Sequence, residues 1–177
     1  AGDWDAAGAV LADAARSLKA GGAQLLVICT NTMHKVADAV ETASRLPLLH
    51  IADPPGEAIR AHGFARIGLL GTRFTMEQDF YRQRLAERHG LEVLVPEADE
   101  RDIVHRVIYD ELCQGEIREE SRAQYRGVMA SLVARGAQGI ILGCREIGLL
   151  VGEGDASVPL LDTAALHGRA AALAALD

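Results

Sequence analysis

The sequence predicts an α/β fold built on parallel strands, laid down in two successive runs of the same strand and helix order. Three observations carry this. Short apolar runs such as Leu25 to Ile28 and Ile140 to Leu142 stop abruptly at small residues, as buried parallel strands do where they open onto a loop. The segments between them carry apolar residues at the three- and four-residue spacing of helices that cover a sheet. One pattern also occurs twice: Gly22-Ala-Gln leads through an apolar run to Cys29, and Gly136-Ala-Gln leads through another to Cys144. Each thiol therefore stands just past the carboxyl tip of a strand, where open α/β sheets hold their ligands.

Taken in order, Trp4, Ala7, Leu11, Ala14 and Leu18 mark a helix over 3–19 that Gly21 and Gly22 stop. A strand over 24–28 follows, then the polar Cys29 to Thr32, then a helix over 33–44 with Thr32 as its cap. Leu48 to Ile51 is the next strand, and a crossover of this length makes the pair parallel. A short helix from about Gly56 to His62 ends at Gly63. Arg66 to Leu70 opens the second run, and Thr75 with Gln78 reads as a capping box for a helix carrying Phe80, Tyr81 and Leu85. Leu91 to Val95 is a strand closed by Pro96; Ile103, Val107, Ile108 and Leu112 give the next helix its apolar face, with Cys113 among its core residues. A long helix over 119–135 hands over at Gly136 to a strand over 139–142. After a Gly- and Asp-rich loop, Val158 to Leu161 returns as a short strand, and Asp162 or Thr163 caps an Ala-rich helix. Only two clear strands precede residue 63, against about four to six in a doubly wound sheet, so the first half is expected to be small or to lack an amino-terminal strand and helix.

Composition narrows the function classes. The 177 residues suffice for a substantial core, and a 49% hydrophobic share with 4% aromatic describes one made of Ala, Leu, Ile and Val. A net charge of -7 argues against broad binding to a nucleic-acid backbone. Gly, Asp or Arg interrupts every apolar run well before the roughly 20 residues that span a bilayer, and no basic segment followed by an apolar one opens the chain, so neither a membrane nor export is expected. Three cysteines without a close pair fit a reducing cytoplasm. No metal-ligand spacing, dinucleotide fingerprint, phosphate loop or nucleophile elbow is present.

Two thiols beside loop amides and hydroxyls suit a stereo-inverting proton transfer. One, as thiolate, removes a proton from one face of a carbon; the other, as thiol, delivers a proton to the opposite face. Thr30, Asn31 and Thr32 would hold a carboxylate and take up charge as the carbon becomes carbanion-like. The same residues also read as two small core cysteines. Glu146 could bind a substrate ammonium or a backbone loop, the Gly71 to Thr75 loop could form an anion nest, Arg73 could pair with a carboxylate, and Asp53 sits at a strand end facing a cleft. His34 and His50 are weaker acid–base candidates.

Five stretches then carry a resemblance: Cys29 to Lys35, Leu49 to Asp53, Leu69 to Arg73 continuing through Met76 to Tyr81, Pro96 to Arg101, and Gly143 to Gly148. Together they resemble the aspartate/glutamate racemase family, amino-acid racemases that work without pyridoxal phosphate, and are most similar to its broad-specificity bacterial members. The resemblance implies two pseudo-symmetric three-layer α/β domains with mainly parallel sheets and an active site between them: residues 1–62, residues 63–157, and a strand and helix over 158–177 returning to the first. It implies Cys29 and Cys144 as the catalytic pair, with Thr30, Asn31, Thr32, Gly71, Thr72 and Thr75 binding substrate beside Arg145 and Glu146. It further implies a small free amino acid as substrate, no cofactor and a homodimer. The family's opening strand and its Gly-Gly-Met-Ser-Trp-like loop find no match, so an incomplete first domain is expected. Arg145 stands where the family has Thr, and its charge is expected to narrow the pocket and lower the Cys144 pKa. The competing expectations are an amino-acid-binding remnant, an inactive truncated racemase, and a small-dicarboxylate isomerase or decarboxylase.

Overall fold

The computed structural model describes residues 2–176. Helix α1 (Trp4–Ala20) starts at Asp3, whose side chain accepts from the Ala6 amide at 2.9 Å, and ends at Gly21 and Gly22, the latter at φ +94°. Strands β1 (Leu26–Val27) and β2 (Leu48–Leu49) pair in parallel, Leu26 opposite Leu48. Between them the chain makes a 3-10 turn (Thr32–Val36) before α2 (Ala37–Ser44). The continuous helix with Thr32 as cap is thus corrected: Asn31 opens the turn, without a side-chain capping bond. Helix α3 (Asp53–Ala61) starts three residues earlier than the pattern placed it, since Pro54 and Pro55 occupy first-turn positions where no amide donor is needed.

A four-stranded parallel sheet in the order β4-β3-β5-β6 is formed by β3 (Arg66–Leu70), β4 (Glu92–Leu94), β5 (Ile140–Leu142) and β6 (Leu160–Asp162). Alternation splits its side chains between two cores. Leu70, Ile140 and Leu142 meet Val104, Val107, Tyr125, Met129 and Leu132 of α6 (Ala98–Asp110) and α7 (Glu119–Ala134). Ile67, Leu69, Ile141 and Leu161 meet Ile51, Ile59, Tyr81 and Leu85 on the other face, from α3, the segment before it, and α5 (Asp79–His89). Burial on both faces explains why these strands read as unbroken apolar runs. A third, smaller cluster joins Ala15, Leu26 and Val40 beneath α1 and α2.

Thr75 lies buried inside α4 (Arg73–Glu77), and Gln78 opens α5 without a side-chain capping bond, so the capping box expected there is absent. One forms instead at Glu97 and Glu100, opening α6. Cys113 is not a core residue. The helix stops at Asp110, and Cys113 is exposed in a 3-10 turn (Leu112–Gln114) that Gly115, at φ +80°, closes. Beyond α8 (Ile147–Leu150), β6 pairs with β5 and α9 (Thr163–Ala174) packs on α3. Among the described residues no helix is long and apolar enough to cross a membrane.

Candidate active site

The carboxyl ends of β1, β3 and β5 open onto one cavity of about 610 Å³, with α9 forming another wall. Cys29, Thr30, Asn31 and Thr32 enter it from the loop after β1, Thr72 from the loop after β3, and Cys144, Arg145 and Glu146 from the loop after β5. The two loops of the four-stranded sheet touch through their glycines: the Gly143 amide donates to the Leu70 carbonyl at 2.6 Å, and a Cβ on Gly143 would lie 2.7 Å from that oxygen. Gly71 plays the same part, since its Cβ would meet the Gly143 carbonyl at 3.1 Å. Gly71 thus sets the spacing of the loops and is not itself among the residues lining the cavity.

The loop carrying Cys29 is pinned from behind. The Ile51 amide donates to His34 Nε2 at 3.1 Å, which leaves the proton on Nδ1 to donate to the Thr30 carbonyl at 2.8 Å. Burial pushes the His34 pKa down to about 4, and the neighbouring His50 down to about 2. Both rings are therefore neutral, and neither lines the cavity. The Asn31 amide donates from Nδ2 to Thr163 Oγ1 at 3.1 Å, and that hydroxyl donates to the Leu142 carbonyl at 2.9 Å. With its proton committed to Leu142, Thr163 can only accept from Asn31, which fixes the orientation of the amide. Thr32, Thr72 and Thr75 form a triangle of hydroxyls with sides of 3.2, 3.3 and 3.4 Å. Thr75 is fully buried behind the other two and does not line the cavity.

Cys144 has a different setting. Its thiol donates to Glu146 Oε2 at 3.1 Å, while Arg145, mostly exposed, holds Glu146 Oε1 at 3.2 Å. Burial, reinforced by the adjacent carboxylate, pushes the Cys144 thiol up to about 12. The expected lowering by Arg145 does not occur, because the guanidinium is directed to Glu146. Burial alone would raise the Glu146 pKa, but the bonds from Cys144 and Arg145 outweigh it and hold the group below the ordinary carboxylate range.

Two sequence candidates stand elsewhere. Asp53 is gripped by Arg84 at 2.7 and 2.6 Å, with His89 at 3.4 Å, in a structural ion pair between α3 and α5. Arg73 is exposed and paired with Asp102 at 2.5 Å. Neither lines the cavity. Conversely, Cys113, Tyr109 and His167 do line it, and Thr163 braces it. Thr163 follows Asp162 at the end of an apolar strand, the position that flags Cys29 and Cys144, and that signal could have found it. Among the described residues no group of three or more His, Cys, Asp or Glu side chains could hold a metal ion.

The Asp/Glu/hydantoin racemase family matches residues 1–171 of this chain. The chain belongs to that family. The racemase fold is shared closely with an Asp/Glu-racemase-type protein from Yersinia pestis, at 57% identity and a TM-score of 0.94 over 99% of this chain and 76% of that one. An aspartate racemase homologue from Pyrococcus horikoshii is 35% identical, with a TM-score of 0.88 and the same coverage of each chain. The glutamate racemase of Francisella tularensis in complex with D-glutamate has 13% identity and a TM-score of 0.72, over 99% of this chain and 66% of that one, a likeness of racemase fold alone.

Proposed function

We propose that this chain interconverts the enantiomers of a free amino acid without pyridoxal phosphate, using Cys29 and Cys144 as its two acid–base groups. The observation that carries the reading is that both thiols line one cavity, from loops after β1 and β5. In one direction the Cys29 thiolate takes the α-proton, the α-carbon becomes planar and carbanion-like, and the Cys144 thiol gives a proton to the opposite face. One C–H bond breaks and one forms, leaving Cys29 as thiol and Cys144 as thiolate; the reverse direction exchanges the roles. In this reading Thr32 and Thr72 donate to the substrate carboxylate, with Asn31 and Thr30 beside them; what supports it is that these four line the cavity and that Thr75 contacts both hydroxyls from behind. In this reading the β1–β2 unit and the four-stranded sheet are the two halves that present the opposed thiols.

Nuclear magnetic resonance of the chain in deuterated water with L- and D-amino acids, and no added cofactor, tests it. The expected result is deuterium at the α-carbon of the opposite enantiomer while the starting enantiomer still carries protium, the mark of two separate bases. Ligand binding by folded protein with no α-exchange across the panel would replace catalysis with a binding role.

A further inference from the structure

Glu146 has both carboxylate oxygens engaged, Oε2 by the Cys144 thiol at 3.1 Å and Oε1 by Arg145 at 3.2 Å. We propose that Glu146 is a positioning residue for Cys144: held by Arg145, its carboxylate accepts the thiol's hydrogen bond and makes Cys144 the resting proton donor of the pair. The inference rests on the two-thiol reading of the cavity and adds an order to it. Cys29 is then the group that starts as base, and the enantiomer whose α-proton faces Cys29 meets the resting protonation state.

The other groups facing Cys144 do not compete for this role. Cys113 from the 3-10 turn, Tyr109 from α6 and Tyr125 from α7 are all near enough to influence its charge. Burial raises the pKa of each, so all three are uncharged at neutral pH. Tyr125 is in addition committed to the Val104 carbonyl at 2.9 Å. Glu146 is thus the anion at Cys144, and Arg145 the cation that keeps it one. An equilibrium constant of one between enantiomers forces kcat/KM to be equal in the two directions. The asymmetry therefore falls on kcat and KM separately, with both larger by the same factor in one direction.

The test is the rate of carbamidomethylation of each cysteine by iodoacetamide between pH 6.5 and 9.5, resolved by peptide mass spectrometry, in the unaltered chain and in Glu146→Gln. Removing the carboxylate should speed labelling of Cys144 at pH 8 about tenfold, the effect of lowering a thiol pKa by about one unit, with Cys29 unchanged as internal control. Equal Cys144 rates in the two proteins, normalised to Cys29, would overturn the proposal. Should Glu146→Gln unfold and all three cysteines accelerate together, Arg145→Ala at the exposed rim decides the matter. Loss of its cation should slow Cys144 labelling about twofold, in keeping with the small effect of an exposed pair, and acceleration would count against the assignment. Labelling needs no turnover. The expected shift without any racemisation would leave the Cys144–Glu146 pair standing and remove the racemase reading instead.

Discussion

Strands β1 and β5 follow the same Gly-Ala-Gln lead and open onto the same residue, yet the loops after them hold their thiols in different settings. Strand β1 has β2 as its paired neighbour, whereas β5 is paired on both sides. Cys29 is exposed, and its loop is fixed from outside, by His34 beneath Thr30 and by Thr163 against Asn31. Cys144 is half-buried and bonded within its own loop to Glu146. A repeated motif therefore sets the position of a thiol and leaves its proton affinity to the surroundings. That division suits a reaction in which two chemically identical groups must start in different protonation states.

The strongest way to break this comparison is to remove either thiol. Cys29→Ala and Cys144→Ala should each lower racemisation about a thousandfold, the scale of a lost acid–base group, as read by nuclear magnetic resonance from the appearance of the opposite enantiomer. Full activity in both variants would dissolve the pairing. The next test concerns the external brace on the Cys29 side. His34 is buried and neutral, its pKa lowered from 6.5 to about 4, so the stability it confers is complete above pH 6.5 and is lost as pH falls towards 4. That shift corresponds to about 3 kcal/mol at most. The thermal midpoint should decline across this window, and less steeply in His34→Gln; parallel declines would show that His34 is not the titrating brace.

The sign reverses on the other side of the cavity. Cys144 is raised from 9.0 to about 12, so its contribution is intact below pH 9 and disappears as pH rises through that interval. Alkaline thermal melts should therefore separate the unaltered chain from Cys144→Ser, with the variant losing less between these limits. A smaller effect is expected from Thr163→Val. It leaves the Asn31 Nδ2 donor without its partner, at a cost of about 1–3 kcal/mol, and a rise in KM should accompany the fall in thermal midpoint. Smallest of all, Arg73→Ala removes an exposed ion pair outside the cavity, and racemisation should be unchanged with a stability loss below about 1 kcal/mol.

Both thiols, the Thr30 to Thr32 loop and the parallel strands were legible because each rests on a local pattern, an apolar run stopped by small polar residues. What escaped sequence reasoning depends on contacts between distant segments. Asp53 ends a strand as a cleft residue would, but Arg84, 31 positions later, claims its carboxylate. Cys113 directly follows the helical apolar pattern of Ile103, Val107, Ile108 and Leu112, yet the chain leaves the helix at Asp110 and the thiol lines the cavity. Thr75 offers the right spacing to cap α5, but a short separate helix, α4, intervenes and places it beneath Thr72. Arg145 reads as a cation beside a thiol, and the direction of its side chain, towards Glu146, is a matter of geometry that no spacing encodes.

The bonds from α9 back to the first loops carry a consequence for synthesis. Thr163 meets Asn31 across 132 positions of chain, and His167 meets the Leu49 carbonyl across 118. On a ribosome adding about 5–20 residues per second, the loop bearing Cys29 emerges many seconds before the residues that brace it. A growing chain thus carries the Cys29 thiol well ahead of the residues that complete the cavity around it. Until α9 has been made, the Cys29 loop lacks these braces, and Cys29 is as open to chaperones and electrophiles as any surface cysteine.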